Sequence, residues 1–120
     1  MVKTINLEKY MVEETDFLSG RPEGENVRKK EKLEDFSLSD SANKIILKIP
    51  LKLIGINISF FLGIFTKTLK IFSTKEDIMK KIELEFDKNV DSEVKSLILQ
   101  DIDYGISKVL DERDIDEILR

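Results

Sequence analysis

The chain has 120 residues and contains no histidine and no cysteine. Histidine is the commonest general base and metal ligand, and a thiolate is the readiest nucleophile. What remains for chemistry are hydroxyls, lysines and carboxylates. A serine nucleophile would then need lysine or a carboxylate as its base. Ser92-x-x-Lys95 has such a spacing, but it opens a helical pattern and reads better as a cap. Asp101-Ile102-Asp103 followed by Glu112 imitates the two ends of a calcium loop. Its fifth ligand position holds Gly105, however, and the position that requires glycine holds Ile106. Gly20-Arg21-Pro22-Glu23-Gly24 lacks the Gly-Lys-Ser/Thr ending of a phosphate loop and reads as a connection using glycine torsions. The expectation is a protein that is not an enzyme, with no cofactor and no metal.

Charge distribution narrows the partners. Residues 41–74 carry five lysines (44, 48, 52, 67 and 70) and no acid, whereas both flanks carry more acid than base. The apolar middle is expected to form the buried heart of the fold, with solvated helices on either side. Arg28, Lys29, Lys30 and Lys32 alternate with Glu25, Glu31 and Glu34, which suits a helix face laced with ion pairs. With a net charge of −4 the chain offers no clustered basic face for nucleic acid. The N-terminus lacks a signal-peptide pattern, and a cytoplasmic location is expected. Residues 45–65 are strongly apolar, yet they include Lys48, Pro50, Lys52, Gly55 and Asn57. Two lysines there make a membrane span costly. A peripheral membrane or structural role for this stretch is the alternative to a regulatory one, and an enzyme with an unrecognised site is the third reading.

Ser59 is the hydroxyl whose setting stands out. It lies where a buried strand hands over to a helix, so Asn57 or Ser59 caps that helix. The functional reading is a phosphorylatable hydroxyl at an exposed helix N-terminus.

The elements that would position it follow from pattern. Residues 4–7 form a short strand and residues 16–24 a turn-rich stretch. Pro22 starts a helix over residues 23–36, anchored by Val27, Leu33 and Phe36. Residues 37–43 are a loop. Lys44–Ile49 reads as a central strand buried on both faces, ended or bulged by Pro50. The capped helix carries Phe60, Phe61, Ile64, Phe65 and Leu69 on one stripe to about Phe72. Residues 75–80 are a short helix or turn. Residues 81–86 alternate cleanly, with Ile82, Leu84 and Phe86 facing in and the strand beside Lys44–Ile49. Asp91 or Ser92 caps a helix with Val94, Leu97, Ile98, Ile102, Ile106, Val109 and Leu110 as its stripe. Ile115, Ile118 and Leu119 form a final short turn. The fold class is α/β: a small single-layer sheet flanked by helices, in one domain over residues 1–120. Its core spans about 4–110, and 111–120 is an acidic helical tail.

Several stretches taken in order resemble small bacterial STAS-like proteins, similar to anti-sigma-factor antagonist domains. They are Gly20-Arg21, Gly24-Glu25 and Arg28; the buried strand; residues 56–65 (Ile-Asn-Ile-Ser-Phe-Phe-Leu-Gly-Ile-Phe); residues 80–84; and residues 90–98. The likeness covers roughly residues 4–110. It implies a STAS-like sheet flanked by helices and a regulatory protein–protein interaction. The partner it implies is a histidine-kinase-like ATPase or an anti-sigma-type protein. It places Ser59 at the phosphorylatable run before Phe60, with Asn57 near the acidic position and Ile58 in place of a serine. The partner-binding face is expected around Ser59, Asn57 and the turn at Gly20, Arg21 and Gly24, with attraction added by Lys48 and Lys52.

Overall fold

The computed structural model describes the backbone of residues 1–118 and the side chains of residues 1–113. Strand β1 (Val2–Asn6) leads through a 3-10 turn (Leu7–Tyr10) to the two-residue β2 (Phe17–Leu18) and helix α1 (Arg21–Lys30). A second 3-10 turn (Leu33–Asp35) precedes β3 (Lys44–Ile49), the short β4 (Gly55–Ile56) and helix α2 (Ile58–Leu69). Helix α3 (Lys75–Met79), strand β5 (Ile82–Phe86) and the long α4 (Ser92–Ile118) complete the order. The architecture is mixed α/β, with a parallel sheet in the order β1-β3-β5 and a parallel pair β2-β4.

As expected, β3 is central and β5 lies beside it. The expectation that β3 is buried on both faces is corrected. Ile45, Leu47 and Ile49 are buried, Lys44 and Ile46 are half-buried, and Lys48 is exposed. Register explains this: Ile46 sits between Thr4 and Glu83, and Lys48 between Asn6 and Glu85. The lysine column of β3 meets the glutamate column of β5 on an open face, and Lys44 Nζ reaches Glu83 Oε2 at 2.8 Å. Side chains alternate between faces along a strand. The inward set therefore joins the α1, α2 and α4 side chains in one continuous buried cluster.

Helix α1 is shorter than the 23–36 expected. It starts at Arg21 and ends at Lys30, because Lys32 adopts a left-handed φ of 55°. That break sets Leu33 into the core. Residues 45–65 are not one helix but strand β3, a turn, the short β4 and the start of α2, and most of their apolar side chains are in the core, with Leu51 exposed. Among the described residues no helix is long and apolar enough to cross a membrane. In α4, Ile98, Ile102, Ile106 and Val109 are buried as the stripe requires, but Leu97 is 52% exposed and is corrected to a surface position. The helix continues without a break to Ile118, so the separate final turn is also corrected. The side chains of Ile115 and Ile118, and Leu119 as a whole, lie outside the described residues.

Candidate functional site

Asn57 is the cap of α2. It has extended backbone, and its Oδ1 accepts from Ser59 N–H at 2.9 Å. Ser59 is left with a different task. Its hydroxyl donates to Asn57 Oδ1 at 2.6 Å and accepts from Gly20 N–H at 3.3 Å. Gly20 lies directly before α1, 39 positions away in sequence, and holds a φ of 95° that favours glycine. One half-buried hydroxyl therefore ties together the two connections that leave the β2-β4 pair.

That pair is held as tightly on its other side. Asn57 N–H donates to Leu18 C=O at 2.8 Å, and Ile54 N–H to Asp16 C=O at 2.8 Å. Ile56 N–H turns the other way, to Asp101 Oδ2 at 2.9 Å. A carboxylate on α4 thus stands in for a neighbouring strand. Phe17, 54% exposed, lies over Gly55, where an added Cβ would come within 2.3 Å of its ring. A side chain at Gly55 would have to displace the Phe17 ring.

Arg21 opens α1 on the surface and pairs with Glu112 through two contacts of 3.3 and 3.4 Å, which ties α4 to this end. Gly24 is corrected: it is not part of a turn on a binding face but a buried residue inside α1. Its Cβ would fall 2.1 Å from Phe60 C=O and 3.0 Å from the Gly63 Cα, so α1 and α2 cross with backbone against backbone. Arg28, expected on an ion-pair-laced surface, is 5% exposed. It donates to Gly63 C=O at 3.5 Å and lies 3.3 Å from Glu34 and 3.9 Å from Glu25. Lys48 and Lys52 line a different place, a cleft of about 460 Å3 at the carboxyl ends of β1, β3 and β5, with Glu8, Glu85 and Asp87. They do not converge on Ser59.

The motifs set aside on sequence grounds have structural tasks. Asp101 serves Ile56 while Asp103 pairs with Lys75 at 2.8 Å. No group of three or more acidic side chains suited to a metal occurs among the described residues. Asp91 Oδ1 accepts from Glu93 N–H at 2.9 Å at the start of α4. The Lys95 ammonium lies 5.8 Å from the centroid of Phe86.

A second polar cluster sits at the far end of α1. Glu31, 8% exposed, accepts from the Tyr10 hydroxyl and from Lys9 Nζ at 3.2 Å, with Lys3 Nζ at 4.0 Å. Burial pushes the Glu31 carboxyl up, but its bonds to Tyr10 and Lys9 and the nearby lysine charges outweigh this and hold it below its ordinary value. The Tyr10 hydroxyl is pushed far above its ordinary value, first by burial and then by its bond to Glu31. The cluster clamps the turn after β1 to the end of α1.

Sequence reasoning located Asn57, Ser59 and Gly20 through cap and turn chemistry. It missed Asp101 as the edge cap of β4, Phe17 as the exposed ring beside the site, and Gly63 as the partner of Gly24. The paired glycines at 24 and 63 were a readable signal of close helix crossing. Nothing local to Asp101 announces its bond across 45 positions. Compared with models of known protein families, with curated proteins and with solved structures, the chain matches none.

Proposed function

We propose that this chain is a non-catalytic regulatory module that binds another protein through the end of the fold where Gly20, Asn57 and Ser59 meet. The observation that carries the reading is the Ser59 hydroxyl, which joins the two connections leaving β2 and β4. Loops at the carboxyl ends of parallel strands are where such folds build their sites. Here the loops are locked together, and on the strand pair that leads into them the exposed Phe17 ring lies over Gly55. A preformed polar surface beside an aromatic anchor suits a protein partner.

The resemblance of residues 4–110 to STAS-like proteins supports the same reading. It extends it to a cytoplasmic, bacterial setting with a histidine-kinase-like ATPase or anti-sigma-type partner. Binding in this reading needs no phosphate, because the Ser59 hydroxyl is already engaged as donor and acceptor and Ile58 interrupts the serine run.

The test is site-directed photo-crosslinking in native cell extract. A benzoylphenylalanine replacing Phe17 is expected to capture one discrete protein. The same group at Thr4, on the open face of the three-stranded sheet, is expected not to. Identical capture patterns at both positions, or none at position 17, would overturn the reading.

A further inference from the structure

β5 is the last strand of its sheet, and its outer edge is unpaired among the described residues. Its bonds to β3 run through the odd-numbered positions: Ile45 N–H donates to Lys81 C=O at 2.8 Å, and Asp87 N–H to Ile49 C=O at 3.2 Å. Backbone groups alternate sides along a strand, so the N–H and C=O groups of Ile82, Leu84 and Phe86 face the open edge. Those same residues turn their side chains toward the helices. Next to them runs an apolar groove of about 200 Å3, lined by Met79, Leu84, Phe86, Leu99 and Ile102, with Asp103 at its border. Met79 and Leu99 are 50% and 49% exposed. Free backbone bonds and apolar seats therefore lie side by side.

Charge decides what fits. On its other face β5 presents Glu83 and Glu85, followed by exposed Asp87. Lys44 satisfies Glu83, whereas Glu85 makes no ion pair among the described residues, even with Lys48, its register neighbour on β3. A second copy of the chain is a poor occupant. Antiparallel pairing of β5 with itself about Leu84 sets Glu83 against Glu85 twice, and like charges directly opposite are destabilising. Strand β1 would bring only Val2, Thr4 and Asn6 to that face, with no positive charge.

We propose that the β5 edge is a docking site for an extended segment of a partner protein in which apolar and basic residues alternate. The segment adds as a fourth strand of the sheet. Its apolar side chains enter the groove beside Leu84, Met79 and Leu99, and a lysine or arginine on the opposite face pairs with Glu85. Strand addition of this kind takes affinity from main-chain bonds and selectivity from alternate side chains.

The probe is a fluorescein-labelled, end-blocked seven-residue peptide alternating lysine and valine, titrated by anisotropy against the full chain. Two further probes carry N-methyl groups on all valines or on all lysines. Saturable binding of the parent peptide is expected. One methylated probe should lose it and the other keep it, because only one set of N–H groups faces β5. Glu85→Lys and Leu99→Glu should each weaken binding about tenfold, as should glutamate in place of lysine in the probe. Both changes in the chain are at exposed positions, and circular dichroism would check that the fold persists. No saturable binding, equal binding of both methylated probes, or affinities within about twofold of wild type for Glu85→Lys would each overturn the proposal.

Discussion

Two side chains show how single groups hold this structure. Asn57 carries the start of α2 by accepting from Ser59 N–H. Asn57→Ala is expected to lower stability by about 1 kcal/mol in urea unfolding, the usual worth of such a cap. It would also leave the Ser59 hydroxyl without its acceptor. A loss below a few tenths of a kcal/mol would mean that the cap is dispensable. Glu31 makes a pH-dependent contribution, since its folded carboxyl titrates below its ordinary value. A depressed pKa means the unfolded chain takes up the proton first. The contribution is thus complete above the ordinary carboxylate range and is lost as pH falls through the lower folded value. Wild type should exceed Glu31→Gln in stability at neutral pH, by about 1–2 kcal/mol for a buried charge-assisted bond. The gap should close as pH falls below the ordinary carboxylate range and through the folded value. A gap independent of pH would show that the carboxylate charge plays no part. Cap chemistry made Asn57 legible in the sequence. Glu31 was not, because its partners Lys3, Lys9 and Tyr10 come from the first strand and turn, more than 20 positions away.

At the level of elements, the helices were readable where one face is buried and misread where neighbours decide. The α4 stripe of Ile98, Ile102, Ile106 and Val109 has the helical period, and all four are in the core. Leu97 satisfies the same apolar test but points outward. Ile98→Asp buries an unpaired charge, a cost of several kcal/mol against a total near 5–15. It is expected to abolish the cooperative melt, whereas Leu97→Asp should leave the melting temperature nearly unchanged. Equal behaviour of the two variants would put the helix in a different phase. The α1–α2 crossing rests on two glycines. A methyl at Gly63 would meet Arg21 C=O at 2.3 Å, and backbone cannot swing aside as a long side chain can. Gly63→Ala should therefore cost at least about 3 kcal/mol, the upper range for overpacking. A neutral effect in denaturant unfolding would mean that the helices separate freely. The end of α1 was misplaced because Lys32 takes a left-handed conformation that lysine itself does not signal.

Across the whole molecule, the hydrophobic pattern conveyed the mixed α/β class, the central β3 and its neighbour β5. It did not convey that the sheet is covered on one face only. Lys44 and Lys48 carried that information, since charges alternating with Ile45, Leu47 and Ile49 mark an open face. The two-residue strands β2 and β4 were invisible because so short a ladder has no period. They nevertheless shape the candidate site by setting Gly20 against Ser59. In the proposed function that juxtaposition is the binding face. Its most direct test is calorimetric titration of the crosslinked partner, once isolated, with wild type, Ser59→Ala and Ser59→Glu. Glutamate brings charge and bulk into the contact, and the affinity is expected to fall at least about tenfold, while alanine should stay within a few-fold of wild type. A folded Ser59→Glu protein that binds within about twofold of wild type would contradict the account and leave Ser59 as a structural tie alone.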